Sequence, residues 1–296
     1  MPATPAATVT NEPSLLSGLN TLIIGPTGTG KTHSIGTAVD YGLSRGLTVH
    51  VQFLESGKES LLGYWTDRGL SVPDNLYWSE LERTGFSFAN QAEIATTLNT
   101  YTLEMIFKMS DSNRGKHNEF VRLCKQFCDW KCDRTNQSFG PIDSWGPNRL
   151  IVIDGLTGLC AAAMSLIVGG KPLKDQRDWG VAQDQTERMV RQLCDGVKAH
   201  FTLLSHVERE TDPVFGGVKI MPSALGKALA PKLAPMFSDT ILAHREGTNW
   251  WWSTANTQAD LKTRNLPISD KIKPDFSQQF TKWQSRGGKF SPTVKK

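Results

Sequence analysis

Short apolar runs alternate with longer stretches of helical composition along most of the chain. The apolar runs predict buried strands, at residues 19–25, 48–56, 76–81, 149–154 and 200–207. The stretches between them predict helices, among them residues 31–45, 59–69 and 179–198. Strands that alternate with helices are typical of an α/β fold with a mostly parallel central sheet flanked by helices on both faces.

The C-terminal part departs from this alternation. Residues 238–246 and 249–256 flank Gly247 and Thr248 and predict an antiparallel hairpin. We expect one core domain over residues 15–286, with a flexible arm at 1–14 and a flexible basic tail at 287–296. The stretch from about 107 to 147 is polar and contains several Gly, Asn and Cys residues, which predicts an insertion in that core.

Composition argues against a membrane-spanning, secreted or disulfide-rich protein and favours an ordinary globular one. The 296 residues include 33 basic and 29 acidic side chains, and a net charge of +4 permits nucleic-acid contact without requiring it. No apolar run approaches the roughly 18 residues that a membrane-spanning helix needs, and the N-terminus has no secretory signal pattern. Five cysteines in a chain of this length argue against a disulfide framework and favour a cytoplasmic location.

Residues 25–32 match the phosphate-loop pattern G-x-x-x-x-G-K-[ST], and they lie between a predicted strand and a predicted helix. In such a loop, successive backbone N–H groups and the start of the helix bind phosphate oxygens. Lys31 would reach the β- and γ-phosphates of ATP, and the Thr32 hydroxyl would bind Mg²⁺. The alternative is a chance glycine-rich turn. The predicted nucleotide-binding residues are Gly25, Pro26, Thr27, Gly28, Thr29, Gly30, Lys31, Thr32 and His33.

Polar residues at three predicted strand ends complete this candidate site. Asp154 ends the run RLIVID and is predicted to hold Mg²⁺, with a helix N-cap as the alternative. Glu55 ends the run TVHVQFLE and is the candidate general base, although Glu59 or a merely solvated glutamate are alternatives. His206 lies at the end of the strand predicted over residues 200–207 and could sense the γ-phosphate, or could be an ordinary strand-end histidine.

The order of these motifs resembles the RecA-type branch of P-loop ATPases. The resemblance lies in four motifs that follow one another along the chain. They are GPTGTGKT, then a strand that ends in Glu55, then LIVID, and then LLSHVE. The stretches GVKIMPSALGKALAPKLAPMFSDTIL and LKTRNLP are more specifically similar to phage Sak-type single-strand annealing ATPases, over about residues 18–276. The resemblance implies a RecA-like core that binds ATP and Mg²⁺ and hydrolyses ATP.

The resemblance also implies roles for residues outside the phosphate loop. It implies that Glu55 is the general base. It also implies that the residue at the position of His206, where relatives often carry Gln, couples nucleotide binding to DNA binding. Lys262 and Arg264 match basic fingers that reach the γ-phosphate of a neighbouring subunit, so ATP hydrolysis would depend on assembly. An exposed basic loop is the alternative for these two. Two loops would bind single-stranded DNA, with candidate residues Lys171, Lys174, Arg177, Arg209 and Lys219.

The function that follows is an ATP-driven protein that binds single-stranded DNA and promotes annealing or strand exchange in phage recombination. A homo-oligomer, as a filament or ring with ATP between subunits, and a single-strand-binding protein are the expected partners, and no membrane is involved. In a phage-encoded protein, the location would be the host cytoplasm. Two alternatives are a hexameric helicase or translocase and a nucleotide-gated regulator that does not hydrolyse ATP.

Two further patterns favour structural roles. Cys124, Cys128 and Cys132 recur every four residues, which favours a buried cysteine stripe over a zinc site completed by His117. The triplet 250–252 consists of three tryptophans on a predicted strand, so the first and third share one face. Packing in the core or between subunits is favoured for them over stacking on DNA bases.

Overall fold

The computed structural model describes residues 14, 16–82, 87–108, 117–169, 174–211 and 216–290. The described strands are β1 (Asn20–Ile24), β2 (Thr48–Phe53), β3 (Leu76–Glu80), β4 (Arg149–Asp154), β5 (His200–Ser205), β6 (Val207–Thr211), β7 (Val218–Pro222), β8 (Asp239–Glu246) and β9 (Asn249–Ser253). The described helices are α1 (Lys31–Leu43), α2 (Lys58–Thr66), α3 (Phe88–Thr100), α4 (Leu103–Lys108), α5 (Glu119–Cys128), α6 (Leu156–Val168), α7 (Gln176–Arg191), α8 (Gly226–Leu233) and α9 (Ser277–Ser285).

Seven strands form one central sheet in the order β3-β2-β4-β5-β1-β8-β9. All neighbours in this sheet run parallel except β8 and β9, which form an antiparallel hairpin. The predicted fold class is therefore confirmed: an α/β protein with a mostly parallel sheet and a C-terminal antiparallel hairpin. The hairpin turns at residues 247–248, as the sequence predicts.

The central strands are buried on both faces, which is why their sequences are almost continuously apolar. On β1, Leu22 and Ile24 join an apolar cluster with residues of α5, α6, α7 and α8. Ile23 points to the opposite face and joins a second cluster with residues of α1, α2 and α9. The sheet is thus sandwiched between two helical layers.

Parallel pairing brings the carboxyl ends of four strands to one level. Phe53 pairs with Asp154, Asp154 with Leu204, and Ile24 with Ser205. The loops that follow β1, β2, β4 and β5 therefore leave the sheet at the same edge. In open α/β sheets this edge is where ligands bind.

Two segments differ from the sequence prediction in their boundaries. The helix expected over 179–198 begins earlier, at Gln176, because the Asp175 side chain accepts backbone N–H bonds from Arg177 and Asp178 and forms a capping box. It ends at Arg191 in a π-helical turn, Gln192–Gly196. The second predicted DNA loop contains a separate antiparallel pair, β6 and β7, in its described part.

The segment predicted as an insertion contributes to the core in its described part. Trp130, Ile142 and Trp145 are buried in the cluster that includes α6 and α7. Residues 287–290 of the predicted tail lie against α9, where the rings of Phe290 and Trp283 are 5.3 Å apart. Residues 1–13 of the predicted arm and 291–296 of the tail lie outside the described residues.

The interpretation of the three cysteines as a buried stripe is wrong. Cys132 is buried, but Cys124 is half-buried and Cys128 is exposed. The reason is that the buried face of α5 carries Phe120, Leu123 and Phe127, so Cys124 and Cys128 lie off that face, while Cys132 lies beyond the end of the helix. Among the described residues, no group of three or more His, Cys, Asp or Glu side chains could hold a metal ion. No helix in the described ranges is both long and apolar enough to cross a bilayer.

Candidate nucleotide-binding site

The turn between β1 and α1 presents a helix N-terminus whose amides are open to a ligand. Gly30 is the residue before α1 and has a φ of 75°, and it forms no side-chain cap hydrogen bond with the first turn. The first turn of α1 also contains no acidic residue. Unpaired N–H groups and the positive end of the helix dipole together favour an anion at this position.

Lys31 is buried inside this loop. Its Nζ atom donates hydrogen bonds to the carbonyl oxygens of Gly25 and Pro26, each at 2.8 Å. Burial lowers the pKa of the Lys31 ammonium to about 8, although the carboxylates of Asp154 and Glu55 oppose that shift. A cation is thus held at the centre of the loop by backbone oxygens that a phosphate could replace.

Asp154 and Thr32 meet beside the lysine. The Thr32 hydroxyl donates to Asp154 Oδ2 at 3.0 Å, and Asp154 is buried. Burial raises the pKa of Asp154 to about 6, while the Thr32 hydrogen bond acts in the opposite direction. A hydroxyl and a carboxylate oxygen are ligands that Mg²⁺ prefers, and a divalent cation would stabilise the buried carboxylate. The two residues therefore fit a magnesium ion.

Glu55 lies at the edge formed by the four strand ends and has both carboxylate oxygens engaged. Oε1 accepts a hydrogen bond from the Gly158 N–H at 3.0 Å, and Oε2 lies 3.2 Å from His206 Nε2. Gly155 follows Asp154 with a φ of 119°, and a Cβ atom there would lie 2.7 Å from Glu55 Cδ. A glycine is therefore required at 155 for Glu55 to reach its position.

His206 connects Glu55 to the phosphate loop. Its Nδ1 atom lies 3.5 Å from the Thr27 hydroxyl, and its Nε2 atom faces Glu55. Because His206 directly precedes β6, any displacement of the β6–β7 pair would act on both contacts. The arrangement links the loop, a carboxylate and a peripheral two-stranded sheet through one side chain.

Trp250 on β9 covers the outside of the loop, and sequence reasoning missed this. Its Nε1 atom donates to the Gly28 carbonyl at 3.1 Å, and its ring contacts the His33 ring edge-on at 4.9 Å. Strand alternation correctly places Trp250 and Trp252 on one face, and Trp252 is buried in the core. The pattern gave no signal that β9 begins beside the loop, because that depends on the pairing of β8 with β1.

We expect Gly30→Ala to lower the free energy of unfolding more than Gly28→Ala does. Both glycines have a left-handed φ, of 75° and 77°, so both substitutions carry similar backbone strain. A Cβ atom at Gly30 would lie 2.6 Å from the Trp250 ring, whereas nothing lies within 4 Å of one at Gly28. The measurement is urea unfolding of the two single variants.

The control is a double variant that removes the clash. In a Trp250→Ala background, the cost of Gly30→Ala should fall to about that of Gly28→Ala, which a double-mutant cycle measures. Equal costs of the two glycine substitutions in the wild-type background would show that Trp250 does not pack on the loop.

A cavity of about 910 Å³ connects these groups. Most predicted site residues line it, namely Thr27, Gly28, Thr29, Gly30, Lys31, Thr32, His33, Glu55, Asp154 and His206. Gly25 and Pro26 do not line the cavity, but they supply the loop carbonyls that bind Lys31. Residues that sequence reasoning did not assign also line the cavity, among them Gly57, Ser60, Gly155 and Trp250, and so does Glu59, the alternative base.

Lys262 and Arg264 do not line this cavity. The backbone of Lys262 pairs with Thr240, close to the start of β8 and therefore toward the opposite edge of the sheet. The buried Asp239 accepts hydrogen bonds from the backbone N–H groups of Arg264 and Asn265 and fixes this segment. Neither basic side chain is thus brought to the phosphate loop of its own chain.

The predicted DNA-binding residues lie in two places. Lys174 and Arg177 are exposed at the start of α7. Arg209 lies on β6, and Lys219, on β7, forms an ion pair with Asp260 at 2.9 Å. Lys171 lies outside the described residues.

Comparisons with known proteins give only distant structural similarity. No protein-family profile matches the chain, and no curated protein sequence matches it. A KaiC-like protein from Pyrococcus horikoshii is similar over 88% of both chains, with 12% identity and a TM-score of 0.37. The flagellar accessory protein FlaH from Methanocaldococcus jannaschii is similar over 86% of this chain and 83% of its own, with 10% identity and a TM-score of 0.33.

Proposed function

We propose that this protein is a RecA-like P-loop ATPase that binds single-stranded DNA and promotes annealing or strand exchange in phage recombination. One observation carries the ATPase part. A buried lysine, a hydroxyl–carboxylate pair and a second carboxylate surround one cavity at the uncapped start of α1. That set supplies a phosphate cradle, ligands for Mg²⁺ and a candidate base for water, which are the groups that hydrolysis of a nucleoside triphosphate needs.

Phosphate binding begins at the loop. The backbone N–H groups of residues 28–33 bind oxygens of the β- and α-phosphates at the start of α1. The Lys31 ammonium leaves the carbonyls of Gly25 and Pro26 and binds the β- and γ-phosphates. A triphosphate raises the pKa of Lys31 back toward its usual value, because the charged form is then compensated.

Thr32 and Asp154 would hold Mg²⁺, which would neutralise phosphate charge when bound. Because the pKa of Asp154 is about 6 in the free protein, part of its population is protonated near that pH. Binding of a cation at this site therefore competes with that proton and strengthens as the pH rises through 6. Thr32 keeps its hydroxyl beside the carboxylate at 3.0 Å, so both oxygens are already close together.

Glu55 accepts a proton from the attacking water. It follows β2, whose last residue Phe53 pairs with Asp154, and it lines the same cavity as Lys31 and Asp154, which supports this role. In the free protein it is held by Gly158 and His206, so it must reorient or share these contacts when water binds. His206 then reports the state of the loop to the β6–β7 pair, as proposed for a coupling residue.

The assembly and DNA parts of the proposal rest on the sequence resemblance. Lys262 and Arg264 lie away from their own phosphate loop, which is compatible with a role in the site of a neighbouring subunit in a filament or ring. Lys174, Arg177, Arg209 and Lys219 supply the cations for DNA phosphates. A single-strand-binding protein that delivers the DNA is the proposed further partner.

The experiment is an ATPase assay with and without single-stranded DNA, paired with a test of annealing of complementary oligonucleotides. We expect hydrolysis that requires Mg²⁺ and rises when a single strand is added, and annealing that is faster with ATP. Hydrolysis with no binding of DNA and no stimulation would reject the DNA part. Tight ATP binding with negligible turnover would favour a regulator, and ATP-driven unwinding of duplex DNA by closed rings would favour a motor.

A further inference from the structure

A second cavity adjoins the proposed phosphate site. It has a volume of about 690 Å³, and it shares Gly30, His33 and Trp250 with the first cavity. Gly30 directly precedes α1, and His33 lies in the first turn of that helix. The two cavities therefore meet at the start of α1, where the proposed function places the β- and α-phosphates. The second cavity is thus accessible to a group that is attached to the α-phosphate.

The walls of the two cavities differ in chemistry. On its α2 side, the first cavity is lined by polar and aliphatic side chains, namely Glu59, Ser60, Leu62, Thr66 and Asp67. The second cavity is lined by four aromatic side chains besides His33, and these are Tyr41, Tyr64, Trp250 and Trp251. A nucleobase is flat and aromatic, and it gains free energy by stacking on an aromatic ring. The second cavity is therefore the better match for a base.

Trp250 is anchored at the boundary between the cavities. Its Nε1 atom donates a hydrogen bond to the Gly28 carbonyl at 3.1 Å, and its ring packs against Gly30, where a Cβ atom would lie 2.6 Å away. The His33 ring contacts the indole edge-on at 4.9 Å and lies 5.0 Å from the Tyr64 ring on α2. Trp250 is nevertheless 38% exposed. An indole that is already held in place loses little conformational entropy when a ligand stacks on it.

Anchored carboxylates accompany the aromatic rings of the second cavity. Asp40 Oδ1 accepts a hydrogen bond from Trp65 Nε1 at 2.9 Å, and Asp275 Oδ1 accepts one from the Ser277 N–H at 2.8 Å. Both aspartates line the cavity, and a carboxylate accepts more than one hydrogen bond. The hydroxyl groups of ribose and the amino group of adenine are donors. The cavity therefore combines a stacking surface with acceptors, which fits a nucleoside better than a purely apolar ligand.

We propose that the second cavity holds the nucleoside of the bound triphosphate and that Trp250 is the residue on which the base stacks. This inference rests on the proposed function and concerns the part of ATP that the phosphate loop does not recognise. Backbone amides and Lys31 bind phosphate oxygens whatever group is attached to them. Discrimination between a nucleotide and an inorganic polyphosphate then comes from β9 and the start of α1.

The test compares two ligands by isothermal titration with the full chain. One is Mg·ATP, and the other is Mg·tripolyphosphate, which lacks the nucleoside. The wild type should bind ATP more tightly than tripolyphosphate. Trp250→Ala should weaken ATP binding about 5-fold to 150-fold, the range for loss of one stacked base, and should leave tripolyphosphate binding close to the wild-type level. Trp250→Phe, which keeps an aromatic face, should recover most of the loss.

A second tryptophan provides the matched control, and fluorescence provides a readout of stacking. Trp179 on α7 is 37% exposed, nearly the same fraction as Trp250, and it lines neither cavity. Trp179→Ala should bind both ligands as the wild type does. In the wild type, ATP should quench tryptophan fluorescence more than tripolyphosphate does. That difference should disappear in Trp250→Phe, which a purely structural role of Trp250 does not predict.

The possible negative results have different meanings. If the wild type binds ATP and tripolyphosphate equally tightly, or if Trp250→Ala weakens both by the same factor, the nucleoside does not stack on Trp250 and the proposed function stands. ATP binding by Trp250→Ala at the wild-type level would overturn the inference in the same way. If the wild type binds neither ligand, the ATPase part of the proposed function fails together with this inference.

Discussion

We expect replacement of Glu55 by glutamine to lower the rate of ATP hydrolysis about 100-fold to 10,000-fold and to leave binding of Mg·ATP close to the wild-type level. The expected size is that of a lost general base. Glutamine has nearly the same shape as glutamate, so its carbonyl oxygen can still accept the Gly158 N–H bond that Glu55 accepts at 3.0 Å. The substitution therefore removes the proposed proton acceptor and keeps the hydrogen bond from Gly158.

The matched control for this variant is Glu59→Gln. Glu59 lines the same cavity and lies in the first turn of α2, and it was the alternative base in the sequence analysis. Single-turnover assays of both variants, with binding measured separately, decide between them. If Glu59→Gln lost most of its turnover and Glu55→Gln hydrolysed ATP at a near-normal rate, Glu59 of α2 would be the general base. That result would contradict the assignment of Glu55.

Lys31→Ala should weaken ATP binding by about 100-fold or more. The ammonium is expected to form two charge-assisted hydrogen bonds with phosphate oxygens, and bonds of this kind contribute about 1.5 kcal/mol or more each. The variant also removes the donor that Gly25 and Pro26 bind in the free protein, so its thermal unfolding must be measured beside its affinity. Isothermal titration with Mg·ATP gives the affinity.

Lys58→Ala is the control for loss of a lysine near the site. Lys58 begins α2 and forms an ion pair with Glu80, and it does not line the cavity. We expect its ATP affinity to stay within a few-fold of the wild type, because an exposed ion pair contributes little. If Lys31→Ala bound ATP as tightly as Lys58→Ala does, the lysine in the loop would have no role in phosphate binding.

The buried strands, the phosphate loop and the shared edge of the sheet could be predicted, because each depends on short stretches of sequence. Continuous apolar runs such as LIVI identified β4, because a strand buried on both faces leaves few polar positions. The phosphate loop followed from its glycine and lysine spacing. The convergence of Glu55, Asp154 and His206 followed from the rule that parallel strands present their carboxyl ends at one edge.

The features that were missed depend on contacts between distant parts of the chain. Trp250 reaches the loop only because β8 pairs with β1, a contact more than 200 residues apart in sequence. The pairing of Glu55 with His206 likewise depends on side-chain geometry at the sheet edge. The interpretation of the cysteine stripe failed because a different face of α5, the one with Phe120, Leu123 and Phe127, packs on the core.

The most direct test of the central claim is a structure of the protein with Mg²⁺ and a non-hydrolysable ATP analogue. The account predicts the triphosphate against the backbone amides at the start of α1, with Lys31 Nζ moved from the carbonyls of Gly25 and Pro26 onto phosphate oxygens, and with the metal beside Thr32 and Asp154. A structure in which Lys31 still binds both carbonyls and the analogue lies elsewhere, or does not bind at saturating concentration, would contradict it.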